Sequence, residues 1–253
     1  MKNKFSKTEL PFPGSSHIDS MPIKEALELF IQEQISGIKS LQTEVNALNK
    51  IIQNIYYHLF KNKKGRLIYT GAGTSARIAV QDGVELYPTF GWPKNRTSFI
   101  IAGGEIALTS SIEGAEDDVI DAQSQFLKHD ISSKDVLIGV AASGNTPFTC
   151  KVVELASLKN ALTISITNNP NGEIVKLSKL NIVLDTSQEI IAGSTRLKAG
   201  TAQKACLNII SSMVMIKFGF VKHGMMNNMV PLNKKLKKRK KIIDEYYSSL
   251  NLL

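Results

Sequence analysis

The sequence predicts an α/β fold with three layers, in which helices cover both faces of a five-stranded parallel sheet. Five short apolar runs alternate with stretches of helical periodicity, and this alternation is typical of βαβ units with right-handed crossovers. Further helical stretches precede the first run and follow the last one, so the fold includes N-terminal helices and a short C-terminal helix. The expected strands are residues 66–70, 98–102, 136–141, 162–167 and 181–185.

Residues 1–62 are predicted to form an N-terminal arm and helices that pack on the core. Prolines, a glycine and serines between residues 11 and 16 indicate an extended arm. Pro22 then begins a helical pattern, and a second apolar periodicity runs from residue 38 to residue 59. The apolar face of the first helix is Ile23, Ala26, Leu27 and Phe30.

Residues 63–230 are predicted to form the α/β domain, and residues 231–253 a basic C-terminal helix. The formal charge is +9, and seven basic residues lie in KKLKKRKK, residues 234–241, so the rest of the chain carries 9 − 7 = +2. This run favours a solvated helix face over a site for RNA or anionic lipid, because no aromatic residues alternate with the lysines. We therefore predict that neither nucleic acid nor a membrane is a partner.

Cysteines, histidines and the lengths of apolar runs exclude several classes of protein. Cys150 and Cys206 lie in apolar surroundings without paired spacing, which is typical of reduced core residues in a cytoplasmic protein. No apolar stretch is long enough for a transmembrane helix, and the N-terminus lacks the apolar run of a signal peptide. The four histidines are scattered without metal-ligand spacing. We expect a cytoplasmic protein with no metal and no other cofactor.

Two loops of small residues follow predicted strands, at residues 69–77 (YTGAGTSAR) and 140–148 (VAASGNTPF). Parallel strands end at one edge of the sheet, where helix N-termini direct free N–H groups toward a ligand. Glycines allow the backbone to approach an anion closely, and side-chain hydroxyl and amide groups add donors. The alternative is that both loops are tight turns with N-cap residues. The candidate phosphate-binding residues are Gly73, Thr74, Ser75, Ser143, Gly144, Asn145 and Thr146.

The first loop also fits G-x-G-x-x-A, a fingerprint of dinucleotide-binding proteins. A Rossmann site requires an acidic residue about 20 positions further on, at the end of the second strand, to hold the ribose. No acidic residue lies between Glu85 and Glu105. Two hydroxyl-rich loops at one sheet edge suit a compact phosphomonoester better than a pyrophosphate, so we predict a phosphomonoester ligand.

Four blocks of the sequence together resemble a known enzyme family. They are GAGTSARIAVQDGVELYPTFG, AGGEIAL with SIEGAEDD, GVAASGNTPF and AGSTRLKAGTAQKACLNIISS. In this order they are similar to the N-acetylmuramic acid 6-phosphate etherase family, whose members have the flavodoxin-like sugar isomerase (SIS) fold. The resemblance extends from about residue 8 to residue 235. The chain departs from the family pattern at Ala76, Leu86 and Tyr87, and we expect the C-terminal helical domain of many members to be absent or reduced to one helix.

The resemblance implies a reaction and places residues in it. The reaction is cleavage of the D-lactyl ether of N-acetylmuramate 6-phosphate to N-acetylglucosamine 6-phosphate and D-lactate, without a cofactor. Family motifs place the two catalytic glutamates at Glu85, as the acid that protonates the leaving group, and at Glu116, as the base. Phosphate-binding hydroxyls fall on Ser75, Ser143 and Thr146. Three residues lie just before or in the first turn of a long helix predicted from about residue 197 to residue 218, and they are expected to meet anionic groups of the substrate, or else to be solvated or interface charges: Ser194, Arg196 and Lys198.

The family's small-molecule sugar phosphate is the expected partner, together with a second copy of the chain. We expect a homodimer that pairs through helices near the ligand site, with the N-terminal helices in part of the interface. Two carboxyl groups suit the reaction, because the acidic hydrogen at C2 needs a base and the departing oxygen needs an acid. Without the resemblance, each glutamate would be interpreted as a solvated helix residue.

Two other functions are possible on the same fold. A sugar-phosphate isomerase would bind phosphate on these loops but would not require the EGAED segment, residues 113–117. A regulator that senses a sugar phosphate is the second alternative, although such regulators typically carry duplicated SIS domains. RNA binding through the lysine run is a third alternative.

Overall fold

A five-stranded parallel sheet forms the centre of the computed structural model, which describes residues 7–13 and 17–249. Its strands are β1 (Leu67–Gly71), β2 (Thr97–Ile101), β3 (Val136–Ala141), β4 (Leu162–Thr167) and β5 (Leu180–Val183). The order is β2-β1-β3-β4-β5, and all neighbours are parallel. β1 and β3 are therefore adjacent, and doubly wound sheets bind ligands beside such a reversal of strand order.

Helices cover both faces of this sheet, which confirms the predicted three-layer α/β/α fold. The helices are α1 (Ile23–Lys39), α2 (Val45–Lys61), α3 (Gly73–Phe90), α4 (Val119–Lys128), α5 (Pro147–Leu158), α6 (Glu173–Leu177), α7 (Lys198–Lys217) and α8 (Lys234–Ser249). α2, α3 and α7 cover the face that carries Tyr69, Ile138 and Ile166. α4, α5 and α6 cover the opposite face, which carries Ile68 and Leu137. Because both faces are buried, β3 is a continuous apolar run, whereas β4 alternates apolar residues with the buried Thr163, Ser165 and Thr167.

The two N-terminal helices differ in how they contact the domain. α2 buries a row of apolar side chains, whereas α1 buries only Gly37. A Cβ on Gly37 would lie 2.8 Å from the carbonyl oxygen of Lys198, so the close approach of α1 to α7 requires glycine. The apolar face that the sequence predicted for α1 is largely exposed: Ile23 is 80% and Leu27 58% exposed. Of the predicted arm, residues 1–6 and 14–16 lie outside the described residues.

The C-terminal part contains a small β-hairpin that the sequence did not predict, because two-residue strands leave no periodicity. Its strands are β6 (Val221–Lys222) and β7 (Met225–Met226). α8 packs on it through Leu236, Ile243 and Tyr247, so most of its basic side chains lie on the exposed side. None of the helices among the described residues is long and apolar enough to cross a membrane.

Candidate active site

Two helices begin side by side at the carboxyl edge of the sheet, α3 after β1 and α5 after β3. The residues before them, Ala72 and Thr146, make no side-chain hydrogen bond to the N–H groups of the first turn. These N–H groups and the positive end of each helix dipole attract anions. Gly73 (φ +52°) and Gly144 (φ +69°) have backbone conformations that favour glycine. The two loops predicted from the sequence therefore place two open helix N-termini next to each other.

α7 also begins at this edge, but a carboxylate of the chain already caps it. Glu189 is fully buried and accepts hydrogen bonds from the N–H groups of Lys198 (3.1 Å) and Ala199 (2.9 Å). Burial raises the pKa of Glu189 above its ordinary value, against the opposing effect of these two bonds. Since Glu189 occupies the anion position of α7, the open N–H groups are those of α3 and α5.

A cavity of about 310 Å³ lies between the start of α3 and the segment that joins β2 to α4. It brings Gly73 and Thr74 together with Glu116, the predicted base. Glu116 belongs to a short 3-10 helix, Ala115–Asp117, which is anchored by the packing of Ala115 on the apolar cluster around α5. Arg77 also lines the cavity, and the sequence patterns did not single it out. Its only signal was its position one turn beyond the glycine loop.

Ser75, a predicted phosphate ligand, is buried and bonded within the protein. Its hydroxyl donates to Gln203 Oε1 on α7 (2.8 Å). Gln203 Nε2 donates to Asn168 Oδ1 (2.8 Å), and Asn168 Nδ2 donates to the carbonyl oxygen of Leu184 (3.1 Å). These buried side chains connect the first loop to the ends of β4 and β5. The Ser75 hydroxyl therefore holds the loop in place, and its backbone N–H group lies in the open first turn of α3.

The second loop is tied to the start of α6. Asn145 Oδ1 accepts a hydrogen bond from the Glu173 N–H group (2.9 Å), and Ser143 Oγ accepts one from the Asn145 N–H group (3.1 Å). Ser143 and Thr146 are half-buried, and their hydroxyl groups can donate to a ligand. The loop lies at the neighbouring strand end and does not line the cavity that holds Glu116.

Glu85, the predicted acid, lies outside this cavity. It is exposed on α3, and it follows Gly73 by 85 − 73 = 12 residues, or about 18 Å along the helix axis. By helical spacing it shares a face of α3 with Thr74 and Gln81. Within a single chain, Glu85 therefore does not line the cavity that holds Glu116.

A buried carboxylate, Asp82, fixes the rotation of α3 about its axis. Asp82 accepts hydrogen bonds from Asn208 Nδ2 (2.7 Å) and Ser211 Oγ (2.9 Å) on α7, and from the Tyr69 hydroxyl on β1 (3.1 Å). Burial raises the pKa of Asp82, and the three hydrogen bonds oppose that rise. Because Asp82 faces α7 and the sheet, Glu85 stays on the exposed side of α3.

The remaining predicted residues lie in the loop before α7 and in its first turn. Ser194 is half-buried and Arg196 is exposed. The Lys198 side chain is only 4% exposed, and its ammonium group pairs with Glu33 of α1. Lys198, predicted to meet an anionic group of the substrate, thus has a carboxylate partner within the chain and joins α1 to α7.

Neither cysteine is a candidate nucleophile. Cys150 and Cys206 are both free, and Cys206 is fully buried. Burial raises the pKa of Cys150 to about 11 and raises that of Cys206 further, so both remain thiols at neutral pH. Within residues 7–13 and 17–249, no three His, Cys, Asp or Glu side chains are grouped to hold a metal ion.

Comparison with known proteins first defines the class. Residues 48–157 match the family model of the glucokinase regulatory protein N-terminal SIS domain, and residues 111–213 match that of the SIS domain. The fold is similar to that of phosphoheptose isomerase from Neisseria gonorrhoeae (TM-score 0.54, 18% identity, 78% of this chain and 100% of that one). It is also similar to the Vibrio vulnificus NanR protein complexed with ManNAc-6P (TM-score 0.51, 15% identity, 92% of this chain and 71% of that one). The protein is of the SIS class.

A relative at higher identity defines the family within that class. N-acetylmuramic acid 6-phosphate etherase of Oceanobacillus iheyensis is 42% identical over 236 residues, which are 93% of this chain and 80% of that relative. The chain belongs to the N-acetylmuramic acid 6-phosphate etherase family. The resemblance seen in the sequence blocks is thereby confirmed.

The hydrogen bonds of Gln203 give a testable prediction about the first loop. Gln203→Leu leaves Ser75 and Asn168 buried without their partner, at a cost of about 1–3 kcal/mol for each unsatisfied group. We expect the free energy of unfolding in urea to fall by about 2–4 kcal/mol. Lys204→Leu, at the adjacent exposed position, is the control and is expected to change stability by less than about 0.5 kcal/mol. Equal stability of the two variants would contradict the role of Gln203.

Proposed function

We propose that the protein cleaves the D-lactyl ether of N-acetylmuramate 6-phosphate in the cytoplasm and forms N-acetylglucosamine 6-phosphate and D-lactate. The observation that carries this proposal is the cavity in which the open N-terminus of α3 meets Glu116. It combines an anion site with a carboxylate in a chain of the etherase family. The reaction needs no cofactor, because proton transfers accompany every bond that breaks or forms.

The substrate phosphate is proposed to bind at the adjacent starts of α3 and α5. Backbone N–H groups of Gly73, Thr74 and Ser75 supply one side, and the hydroxyl groups of Ser143 and Thr146 supply the other. The exposed Arg196 and the half-buried Ser194 lie in the loop before α7 and complete this polar edge. A phosphomonoester suits two short loops, because both can donate hydrogen bonds to one compact anion.

Elimination is the proposed first step, and it acts on the open-chain sugar. The hydrogen at C2 is acidic because it lies next to the C1 aldehyde, and the Glu116 carboxylate removes it. The bond between C3 and the ether oxygen then breaks, and its electron pair leaves with the oxygen. Glu85, as the carboxylic acid, protonates that oxygen, so D-lactate departs and a double bond remains between C2 and C3.

Hydration is the proposed second step, and it reverses both proton transfers. Water adds to C3 of the unsaturated aldehyde while the Glu85 carboxylate accepts a proton from it. Glu116, now a carboxylic acid, returns a proton to C2. The sum is ether plus water to alcohol plus D-lactate, and each glutamate returns to its starting protonation state.

A second copy of the chain is proposed to supply Glu85. Acid and base act on adjacent carbons of one sugar, whereas Glu85 lies outside the cavity of Glu116 and about 18 Å from Gly73 along α3. The exposed face of α3 that carries Glu85 lies beside α7. Asn208 of α7 donates a hydrogen bond to Asp82 of α3 and holds the two helices together. In a symmetric dimer, this face of one copy can approach the cavity of the other, and each site then takes one glutamate from each copy.

An exposed apolar surface on α1 and α7 supports the dimer. Ile23, Leu27, Ile31, Ile35 and Ile38 form an exposed stripe on α1, and Ile209, Met213 and Ile216 are exposed on α7. The stripe continues into a groove of about 630 Å³ between α2 and α7. A contiguous row of exposed apolar side chains is typical of protein interfaces. α7 packs against α1, α2 and α3, and the partner copy is proposed to cover this surface together with the exposed face of α3.

Removing either carboxylate tests the proposed chemistry. We expect Glu85→Gln and Glu116→Gln each to lower kcat for D-lactate release by about 10²–10⁴-fold, because glutamine can neither remove nor supply the proton. KM should change little, since the phosphate contacts remain. Glu105→Gln, in the same segment as Glu116 but outside its cavity, is the control. Full activity of either variant would remove that residue from the mechanism, and no D-lactate from the wild type would refute the function.

A charge on α1 tests the proposed interface. We expect wild-type protein to have the mass of two chains by light scattering, and Ile31→Glu to have the mass of one, because a carboxylate cannot be buried without a partner. Gln32→Glu adds the same charge at the neighbouring exposed position and should remain a dimer. A monomeric wild type, or a dimeric Ile31→Glu variant, would contradict this interface.

A further inference from the structure

Arg77 is held on the wall of the candidate active site by two carbonyl groups. Its Nε donates to the carbonyl oxygen of Ala107 (3.0 Å), and its Nη2 donates to that of Ser110 (3.0 Å). Both acceptors belong to the segment that leads to Glu116. A guanidinium carries five N–H donors, so these two bonds fix its plane and leave three donors.

The positive charge of Arg77 has no carboxylate partner among residues 7–13 and 17–249. Arg66, by contrast, pairs with Asp135 at 3.0 Å. Arg96 also binds only carbonyl oxygens, but it stacks on Trp92 at the opposite edge of the sheet. A half-buried, unpaired cation is unfavourable unless an anion joins it. Glu113 and Glu116 line the same cavity, but neither forms an ion pair with Arg77, so its remaining donors are open to an anionic group that enters.

The reaction chemistry indicates which anionic group this is. Arg77 shares its cavity with Glu116, which is proposed to act at C2. The lactyl group is attached at the next carbon, C3, and its carboxylate is bonded to the carbon that bears the ether oxygen. The phosphate at C6 lies at the other end of the sugar and is proposed to bind at the N-termini of α3 and α5. Arg77 lies one turn beyond Gly73, about 6 Å along α3, which separates the two anion positions.

We propose that Arg77 binds the carboxylate of the lactyl group and makes the enzyme selective for a leaving group that is an acid. This proposal rests on the proposed etherase function. A guanidinium can bind a carboxylate through two parallel hydrogen bonds, which orient the group as well as attract it. The same side chain, through Ala107 and Ser110, fixes the segment that carries Glu116. Arg77 thereby aligns the ether with the base.

Two substrates can distinguish whether Arg77 binds the lactyl carboxylate or only supports the segment that carries Glu116. N-acetylmuramate 6-phosphate is compared with its analogue in which the lactyl carboxylate is a primary carboxamide, and N-acetylglucosamine 6-phosphate is measured as the common product. We expect the wild type to favour the acid by about 10- to 100-fold in kcat/KM, the effect of one charge-assisted contact. Arg77→Met should bring this ratio close to 1, and Arg77→Lys should give an intermediate ratio.

Arg96→Met is the matched control, because it also removes a guanidinium that holds backbone carbonyls. It should lower stability and leave the acid-to-amide ratio unchanged. Equal loss of rate on both substrates in Arg77→Met, with the ratio preserved, would overturn the proposal and assign Arg77 to support alone. Weaker inhibition by inorganic phosphate at an unchanged ratio would overturn it as well, in favour of phosphate binding. A wild type that forms no product from the acid would instead refute the etherase function.

Discussion

The fixed position of α3 is the constraint on which the candidate active site depends. The helix begins at the sheet edge with Gly73 and places Arg77 in the cavity beside Glu116. It presents Glu85 at a distance of about 18 Å from Gly73 along the helix axis. Ser75 bonds its start to α7, and the hydrogen bonds of Asp82 prevent it from rotating. Within one chain, Glu85 lies outside the cavity that Arg77 and Glu116 line, and the fixed position of α3 keeps it there. The proposed sharing of the site between two copies rests on this separation.

α7 determines which surfaces remain available to ligand and partner. Glu189 occupies its N-terminus, so the open N–H groups at the sheet edge are those of α3 and α5. Lys198 and Gly37 hold α1 against α7, and the apolar stripe of α1 consequently faces outward. One buried carboxylate, Glu189, thus leaves the N-termini of α3 and α5 as the open anion sites, and one buried ion pair keeps the apolar face of α1 on the outside.

The sheet and its loops could be predicted from the sequence, because each strand is a short run rich in apolar residues and two of the strands are followed by loops of glycine and hydroxyl residues. Contacts across the chain could not. The partner of Ser75 lies 128 residues away in the sequence, and that of Lys198 lies 165 residues away. Local sequence patterns give no information about contacts over such separations. A serine in a glycine loop and a lysine at a helix start therefore both resembled ligand residues. The outward face of α1 was missed because periodicity reveals an apolar face but not what covers it.

The central claim is that each active site takes Glu116 from one copy and Glu85 from the other. It is tested most directly by co-expressing Glu85→Gln and Glu116→Gln chains with different tags, purifying the mixed dimer and measuring D-lactate release. Each mixed dimer then holds one site with both glutamates and one with neither, so we predict about half of the wild-type activity per dimer from two inactive parents. Activity as low as that of the parent variants would show that both glutamates act from the same chain, and it would contradict this account.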